Sequence, residues 1–145
     1  MAFSGSYITT TVQIAAALPS TINFAGFNAL AYTTIVGCMM WGETGDTMED
    51  IVTDPLSGRA EHLPGLLDGG AIPFKFRTDI LDPGQILLKS LSNLATQASI
   101  KLTKPDGLRI FAYGLICQIR NLEMVKSNYD GFTGEFRVNS PTIIN

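Results

Sequence analysis

The sequence has 145 residues, a net charge of −3 and an isoelectric point near 5.0, so it suits a single domain, 1–145, and lacks the overall basic charge of a nucleic-acid-binding protein. Charged residues make up only 16% of the chain, and hydrophobic residues make up 46%. Because so little charge is available to cover a monomer, we expect part of the surface to be buried against other subunits.

The N-terminal segment contains no Asp, Glu, Lys or Arg before Glu43, which raises the question of a membrane span. Its most apolar part, 24–41, is interrupted by glycine, asparagine and threonine and has no flanking basic residues. The first residues also lack the positive start and apolar run of a signal peptide. We therefore expect buried strands and no membrane, with Cys38 and Cys117 as buried free thiols.

Two strands are predicted in this N-terminal part. Side chains alternate in character over residues 7–15, which predicts a strand whose less solvent-exposed face carries Ile8, Thr10, Val12 and Ile14. Residues 18–28 predict a loop or a short irregular turn. Residues 29–41 are apolar on both faces, which predicts a strand covered on both sides.

The composition changes at 42–65, which holds six of the 13 acidic residues and few hydrophobic ones. A segment with so little apolar material cannot build a core, so we predict a long loop or hairpin, with Pro55 and Gly58 favouring a turn through 54–59. Its charged residues are candidates for contacts with a neighbouring subunit: Glu43, Asp46, Glu49, Asp50, Asp54, Arg59, Glu61 and His62.

A turn and a strand follow this segment. Asp68, Gly69 and Gly70 predict a tight turn that needs positive φ. Residues 71–80 alternate and predict a strand, with four side chains pointing inward (Ile72, Phe74, Phe76 and Ile80) and three outward (Lys75, Arg77 and Asp79).

The one predicted helix covers about 83–97. Asp82 is a capping residue, Pro83 suits the first helical position, and Gln85 stands where a capping-box partner would reach back. Apolar residues recur at helical spacing along one stripe: Leu87, Leu88, Leu91, Leu94, Ala95 and Ala98.

The C-terminal part predicts three further strands. These are 99–103, then 108–120 after a turn at 104–107, and 132–138 after a turn at 128–131. In the last strand we expect Phe132, Phe136 and Val138 to point inward. The elements together predict a mainly β fold, a sandwich or barrel with one flanking helix.

The sequence gives little support for catalysis. Any histidine-dependent site must use His62, the only histidine, and an enzyme pairing it with Asp68 is one alternative. No metal-ligand spacing and no phosphate-loop motif occurs. We therefore expect no enzyme, no metal and no cofactor. A second alternative is a monomeric ligand-binding β-barrel with Tyr32, Trp41 and Tyr113 lining its pocket.

Three ordered stretches resemble a known family: GETGD at 42–46, LPGLLDGGAIPFKFR at 63–77 and DPGQILLKSL at 82–91. The chain is similar to the major tail tube proteins of long-tailed, siphovirus-like bacteriophages and to the related tubes of tail-like particles. The residues that fill the family pattern are Gly65, Asp68, Gly69, Phe74, Phe76, Asp82, Pro83 and Gln85.

This resemblance implies a structural virion protein that forms hexameric rings stacked into a tube. The long loop would reach the next ring, and DNA would pass through the lumen to the host without specific binding. Partners would be the chain itself and other tail proteins (tape measure, tail terminator and distal tail), with assembly in the bacterial cytoplasm and no additional immunoglobulin-like domain. The inner tube of a contractile tail, secretion machine or gene-transfer particle is the related alternative.

Overall fold

A computed structural model describes residues 5–56 and 58–145; the remainder of the predicted domain 1–145, and Ser57 in the predicted turn at 54–59, lie outside the described residues. The mainly β prediction is confirmed, with two helices in place of one. The elements in chain order are β1 (Thr11–Ala15), α1 (Phe24–Asn28), β2 (Thr33–Ile35), β3 (Cys38–Trp41), β4 (Thr47–Thr53), β5 (Glu61–Asp68), β6 (Ala71–Arg77), α2 (Pro83–Asn93), β7 (Ala98–Thr103), β8 (Arg109–Asn121), β9 (Gly131–Val138) and β10 (Ile143–Ile144).

Eight strands form one antiparallel sheet in the order β2-β1-β7-β8-β9-β6-β3, with the short β10 paired to β8. The edge strands β2 and β3 are separated in the chain by only Val36 and Gly37. Because two residues span so short a distance, the sheet must curl until its two edges lie close together. This curl turns one face of the sheet inward and the other toward solvent.

The inner face carries the main core. Phe74, Phe76, Phe132 and Phe136 are each at most 1% exposed, and they pack with aliphatic side chains from β1, β2, β7, β8 and α2. The predicted inward residues of β6 and β9 are thus confirmed, apart from Ile80. That residue lies beyond the end of β6 and is 80% exposed.

Helix α2 closes the curled sheet beside the junction of β2 and β3. Its predicted start is confirmed, because Asp82 accepts a hydrogen bond from the backbone N–H of Gln85 and Pro83 opens the helix. Leu88 and Leu91 enter the core. The predicted capping-box role of Gln85 is wrong, since its Oε1 accepts from the N–H of Asp79 and not from that of Asp82, while its amide donates to the carbonyls of Val36 and Arg77.

The predicted helix is too long at its C-terminal end. It ends at Asn93, Leu94 is 70% exposed, and Ala98 belongs to β7. The backbone of Ala95 has φ +51, a left-handed conformation that stops a helix although the apolar spacing continues.

Helix α1 was predicted as part of a loop, and this prediction is wrong for 24–28. Asn23 caps the helix by accepting from the N–H of Gly26 at 2.8 Å. The helix covers the outer face of the sheet, where Phe27 stacks on Phe111 with ring centroids 5.6 Å apart. Five residues are too few to show a helical repeat, so only the Asn23 cap was a readable signal.

The N-terminal strands are shorter than predicted. Strand β1 begins at Thr11, with Val12 and Ile14 buried as expected, whereas Ile8 is 76% exposed in a turn. The second predicted strand is broken at Gly37, which has φ +80, and Met39 is 55% exposed. It is therefore not covered on both sides.

The two cysteines are free, as predicted, but only half-buried. Burial raises the pKa of the Cys38 thiol. No helix within the described residues is long and apolar enough to cross a membrane.

Candidate assembly interface

The excursion predicted at 42–65 is a hairpin formed by β4 and β5, residues 47–68, and it begins and ends a few residues later than expected. Thr47 pairs with Asp68 at its base, and Thr53 pairs with Glu61 toward its tip. The hairpin is a separate two-stranded sheet that continues along the chain from β3 and into β6. Asp68, predicted as part of a tight turn at 68–70, is the last residue of β5. Gly69 and Gly70 link β5 to β6 along the same ribbon, and the chain does not reverse there.

No side chain in β4 or β5 is buried. Two-stranded hairpins are at best marginally stable in water, and exposed apolar clusters of this kind mark interaction sites. Seven large hydrophobic residues of the hairpin and its tip are between 44% and 108% exposed: Met48, Ile51, Val52, Leu56, Leu63, Leu66 and Leu67.

The predicted contact residues are distributed along this hairpin. Glu43 and Asp46 precede β4, Glu49 and Asp50 lie in β4, Asp54 and Arg59 lie in the connection, and Glu61 and His62 lie in β5. The pairing gives the hairpin two different faces. One carries Glu49, Ile51, Leu63 and Glu61, and the other carries Met48, Asp50, Val52, His62 and Leu67.

The base of the hairpin is fixed to the body. Asp46 accepts hydrogen bonds from the N–H and hydroxyl of Thr142, both at 3.3 Å, and Asp68 accepts from the N–H of Gly70 at 2.9 Å. These contacts hold the base while the strands beyond it stay free.

The two glycines at the base have different roles. The positive φ expected in the 68–70 segment belongs to Gly70, at +72, and not to Gly69. A Cβ on Gly69 would instead lie 2.5 Å from Cγ1 of Val138. Gly69 is therefore required by close packing against β9 and Gly70 by backbone conformation.

The other residues of the family pattern have structural surroundings. Gly65 lies at the β4–β5 irregularity, where a Cβ would meet Cβ of Glu49 at 2.8 Å. Phe74 and Phe76 are core residues. Asp82, Pro83 and Gln85, as described above, start α2 and tie it to the sheet.

His62 and Asp68 are not brought together. His62 lies opposite Val52 and its Nδ1 is 2.8 Å from Asp50, while Asp68 pairs with Thr47 about 20 Å away along the strand. The geometry contradicts the alternative that pairs these two residues in an enzyme. Within residues 5–56 and 58–145, no group of three or more His, Cys, Asp or Glu side chains could hold a metal ion.

The alternative ligand pocket is also contradicted, because its three aromatic residues lie on opposite faces of the sheet. Trp41 stacks on Phe74 on the inner face, with centroids 5.4 Å apart. Tyr32 and Tyr113 pack on the outer face against Phe111 and Phe27. The cavity beside Trp41 measures about 10 Å³, which is room for at most one water molecule.

A basic face was not anticipated from the sequence. The register places Lys75 beside Met40 on β3 and beside Thr133 on β9, which in turn faces Arg120 on β8. These side chains, with Arg77 of β6, point outward because their neighbours in each strand point into the core. Lys75, Arg77 and Arg120 are exposed. Neither helix covers this part of the sheet.

Comparisons with solved structures show which proteins share this fold. The chain matches a chain of the sheath/tube terminator of the PVC extracellular contractile injection system, in its extended state, with a TM-score of 0.67 and 8% identity over 99% of this chain and 98% of that one. It has the fold of contractile injection system components.

Two further matches agree. A chain of the tube-terminating cap of the anti-feeding prophage gives a TM-score of 0.61 at 10% identity, over 100% of this chain and 94% of that one. A chain of the sixfold-symmetrised anti-feeding prophage baseplate gives 0.64 at 11% identity, over 100% and 97%. No family model and no curated protein matches the sequence. The likeness is thus one of three-dimensional fold.

Proposed function

We propose that this chain is a structural protein, not an enzyme, that self-assembles into hexameric rings stacked as the tube of a tail or tail-like particle. The observation that carries the proposal is the β4–β5 hairpin, whose two strands contain no buried residue. Seven large hydrophobic side chains are exposed in these strands and at the hairpin tip. Such a surface is stabilised when a partner covers it.

The shared fold supports this proposal, since the matched proteins come from tube-terminating, cap and baseplate assemblies, one of them symmetrised sixfold. In a phage, the tube would conduct DNA from the virion to the host, and the chain would contact the tape measure, terminator and distal tail proteins. The net charge of −3 on each subunit would disfavour adhesion of passing DNA.

Electron microscopy of the purified protein over a range of concentrations tests the proposal. We expect rings or tubes above a threshold concentration, with a sedimentation coefficient well above that of a monomer. A protein that remains monomeric at millimolar concentration, in low and moderate salt, would overturn the proposal.

The inner tube of a contractile machine is a second candidate, favoured by the contractile origin of the matched structures. The long-tailed phage alternative predicts no sheath partner. A sheath gene beside this gene, and co-sedimentation of the sheath protein with tubes of this chain, would support the contractile candidate. Tubes that recruit no sheath protein would support the long-tailed one.

A further inference from the structure

The hairpin and the basic face carry opposite charge. We propose that the β4–β5 hairpin of one copy docks on the basic face of the next copy, through its side bearing Glu49, Ile51, Leu63 and Glu61. The basic face is the outward surface of β6, β9 and β8 around Lys75, Arg77 and Arg120. This inference rests on the proposed self-assembly and identifies the two surfaces that meet.

Charge is strongly segregated within the chain. Residues 43–68 contain seven acidic residues and one arginine, whereas the rest of the sequence contains nine Lys or Arg and six acidic residues. A folded chain therefore presents an acidic arm and a body of opposite sign. Complementary surfaces of this kind orient two proteins as they meet.

The charged residues named on the two proposed surfaces form no ion pair within the described part of the chain. The outward surface of β9 also carries Glu135, which is paired with Arg137 at 3.7 Å. Among the ion pairs of the described residues, none involves Glu49, Glu61, Lys75, Arg77 or Arg120. The opposite side of the hairpin differs, since its Asp50 is already paired with His62 at 2.8 Å. Because Glu49 and Glu61 form no ion pair, we assign the side of the hairpin that carries them, with Ile51 and Leu63, as the docking side.

The apolar residues of the two surfaces also correspond. On the hairpin, Ile51 pairs with Leu63 between the two glutamates, and they are 44% and 47% exposed. On the basic face, Met40 lies beside Lys75, and Met40 and its neighbour Met39 are 38% and 55% exposed. An acidic and apolar ribbon thus meets a basic and apolar face.

The hairpin is unsuited to reach the basic face of its own copy. It continues the β3–β6 ribbon, since β5 passes into β6 through only Gly69 and Gly70 and its base is held by Thr142. To cover its own β6 it would have to fold back at this anchored base. The contact is therefore between copies and is heterologous, because it joins two different surfaces. Such a contact can repeat from copy to copy around a ring or along a stack.

Charge reversal tests the inference on the full chain. The hairpin variant carries Glu49→Lys and Glu61→Lys, and the face variant carries Lys75→Glu and Arg120→Glu. For each, we expect the protein concentration needed for assembly at low salt to rise by about tenfold or more, because like charges then face one another. A control with Lys104→Glu and Lys126→Glu, which lie on neither surface, should assemble like the wild type.

Mixing separates this inference from a folding defect. The two variants mixed in equal amounts should assemble again, since each hairpin then meets a face of opposite charge, and a chain with all four reversals should also assemble alone. Circular dichroism melting verifies that each variant is folded.

Three outcomes would overturn the inference. The first is that the charge-reversal variants assemble like the wild type. The second is that folded variants do not assemble when they are mixed. The third is that the basic face of the wild type binds a short DNA duplex through Lys75 and Arg120 while the reversals leave assembly unchanged. In each of these cases a wild type that still forms rings or tubes leaves the proposed function intact, whereas a monomeric wild type overturns both.

Discussion

Gln85 donates a hydrogen bond from its side-chain amide to the backbone carbonyl of Val36 at 2.8 Å, which joins α2 to the two-residue link between the edge strands β2 and β3. The same amide donates to the carbonyl of Arg77 at 2.8 Å, and its oxygen accepts from the N–H of Asp79 at 2.9 Å. One side chain, 2% exposed, thus holds three chain segments together where the sheet closes.

Gln85→Ala should lower the free energy of unfolding by about 2–4 kcal/mol, since three backbone groups lose a partner at a site that little water reaches. Denaturant titration measures this. Ser90→Ala, at an exposed position of the same helix, should change the free energy of unfolding by less than about 0.5 kcal/mol. A comparable loss of unfolding free energy in both variants would show that the hydrogen bonds of Gln85 do not cause the destabilisation.

Asp82→Ala should cost about 2 kcal/mol of unfolding free energy, more than loss of a cap alone, which costs about 1 kcal/mol. The reason is that Oδ2 of Asp82 accepts from the N–H of both Gln85 and Val36, each at 3.1 Å. Asp79→Ala removes only an exposed bond to the N–H of Leu81 and should cost less. Equal costs in thermal or denaturant unfolding would argue against the second role of Asp82.

Gly69→Ala should destabilise the protein because the new Cβ meets Val138, and Val138→Ala in the same chain should relieve part of that cost. Gly70→Ala should cost roughly 1 kcal/mol through its φ of +72, with no relief from Val138→Ala. A double-mutant cycle measures both couplings. An uncoupled Gly69–Val138 pair would refute the packing explanation.

The contribution of Tyr32 to stability should depend on alkaline pH. Its hydroxyl donates to the carbonyl of Phe27 at 2.8 Å, and burial raises the pKa of Tyr32 to about 12 from 10.0. Between these values the unfolded chain releases the tyrosine proton and the folded chain keeps it, so stability is lost as pH rises through this window. The stability advantage of the wild type over Tyr32→Phe should therefore shrink from about pH 10 upward. A constant difference across this range would contradict the raised pKa.

Removal of the hairpin should leave a folded body that no longer assembles. A deletion of 43–61 would leave much of β5 unpaired, so the better change replaces 47–68 by a two-residue Asn-Gly turn, which keeps the contact between Asp46 and Thr142. We expect a cooperative thermal transition close to that of the wild type, because strands β4 and β5 contribute no buried residue. Loss of folding would show that the hairpin is integral to the domain, and tubes formed without it would exclude it from assembly.

Much of the fold was readable from local patterns. Alternation in β6 and β9 places Phe74, Phe76 and Phe136 inward, and the order Asp82, Pro83, Gln85 marks the start of α2. The acidic, core-poor segment predicts an excursion, and the structure confirms a hairpin there. Turn residues, caps and binary patterns act over a few positions, so the sequence alone carries them.

Local sequence patterns therefore specify the type of most elements and the acidity of the hairpin. Long-range packing sets where strands break, as at Gly37, which groups Gln85 binds, and which side chains meet on the outer face. Lys75 and Arg120 lie on one surface because β9 pairs with both of their strands. Register between distant strands depends on the packing of the whole sheet, and no local pattern of charge encodes it.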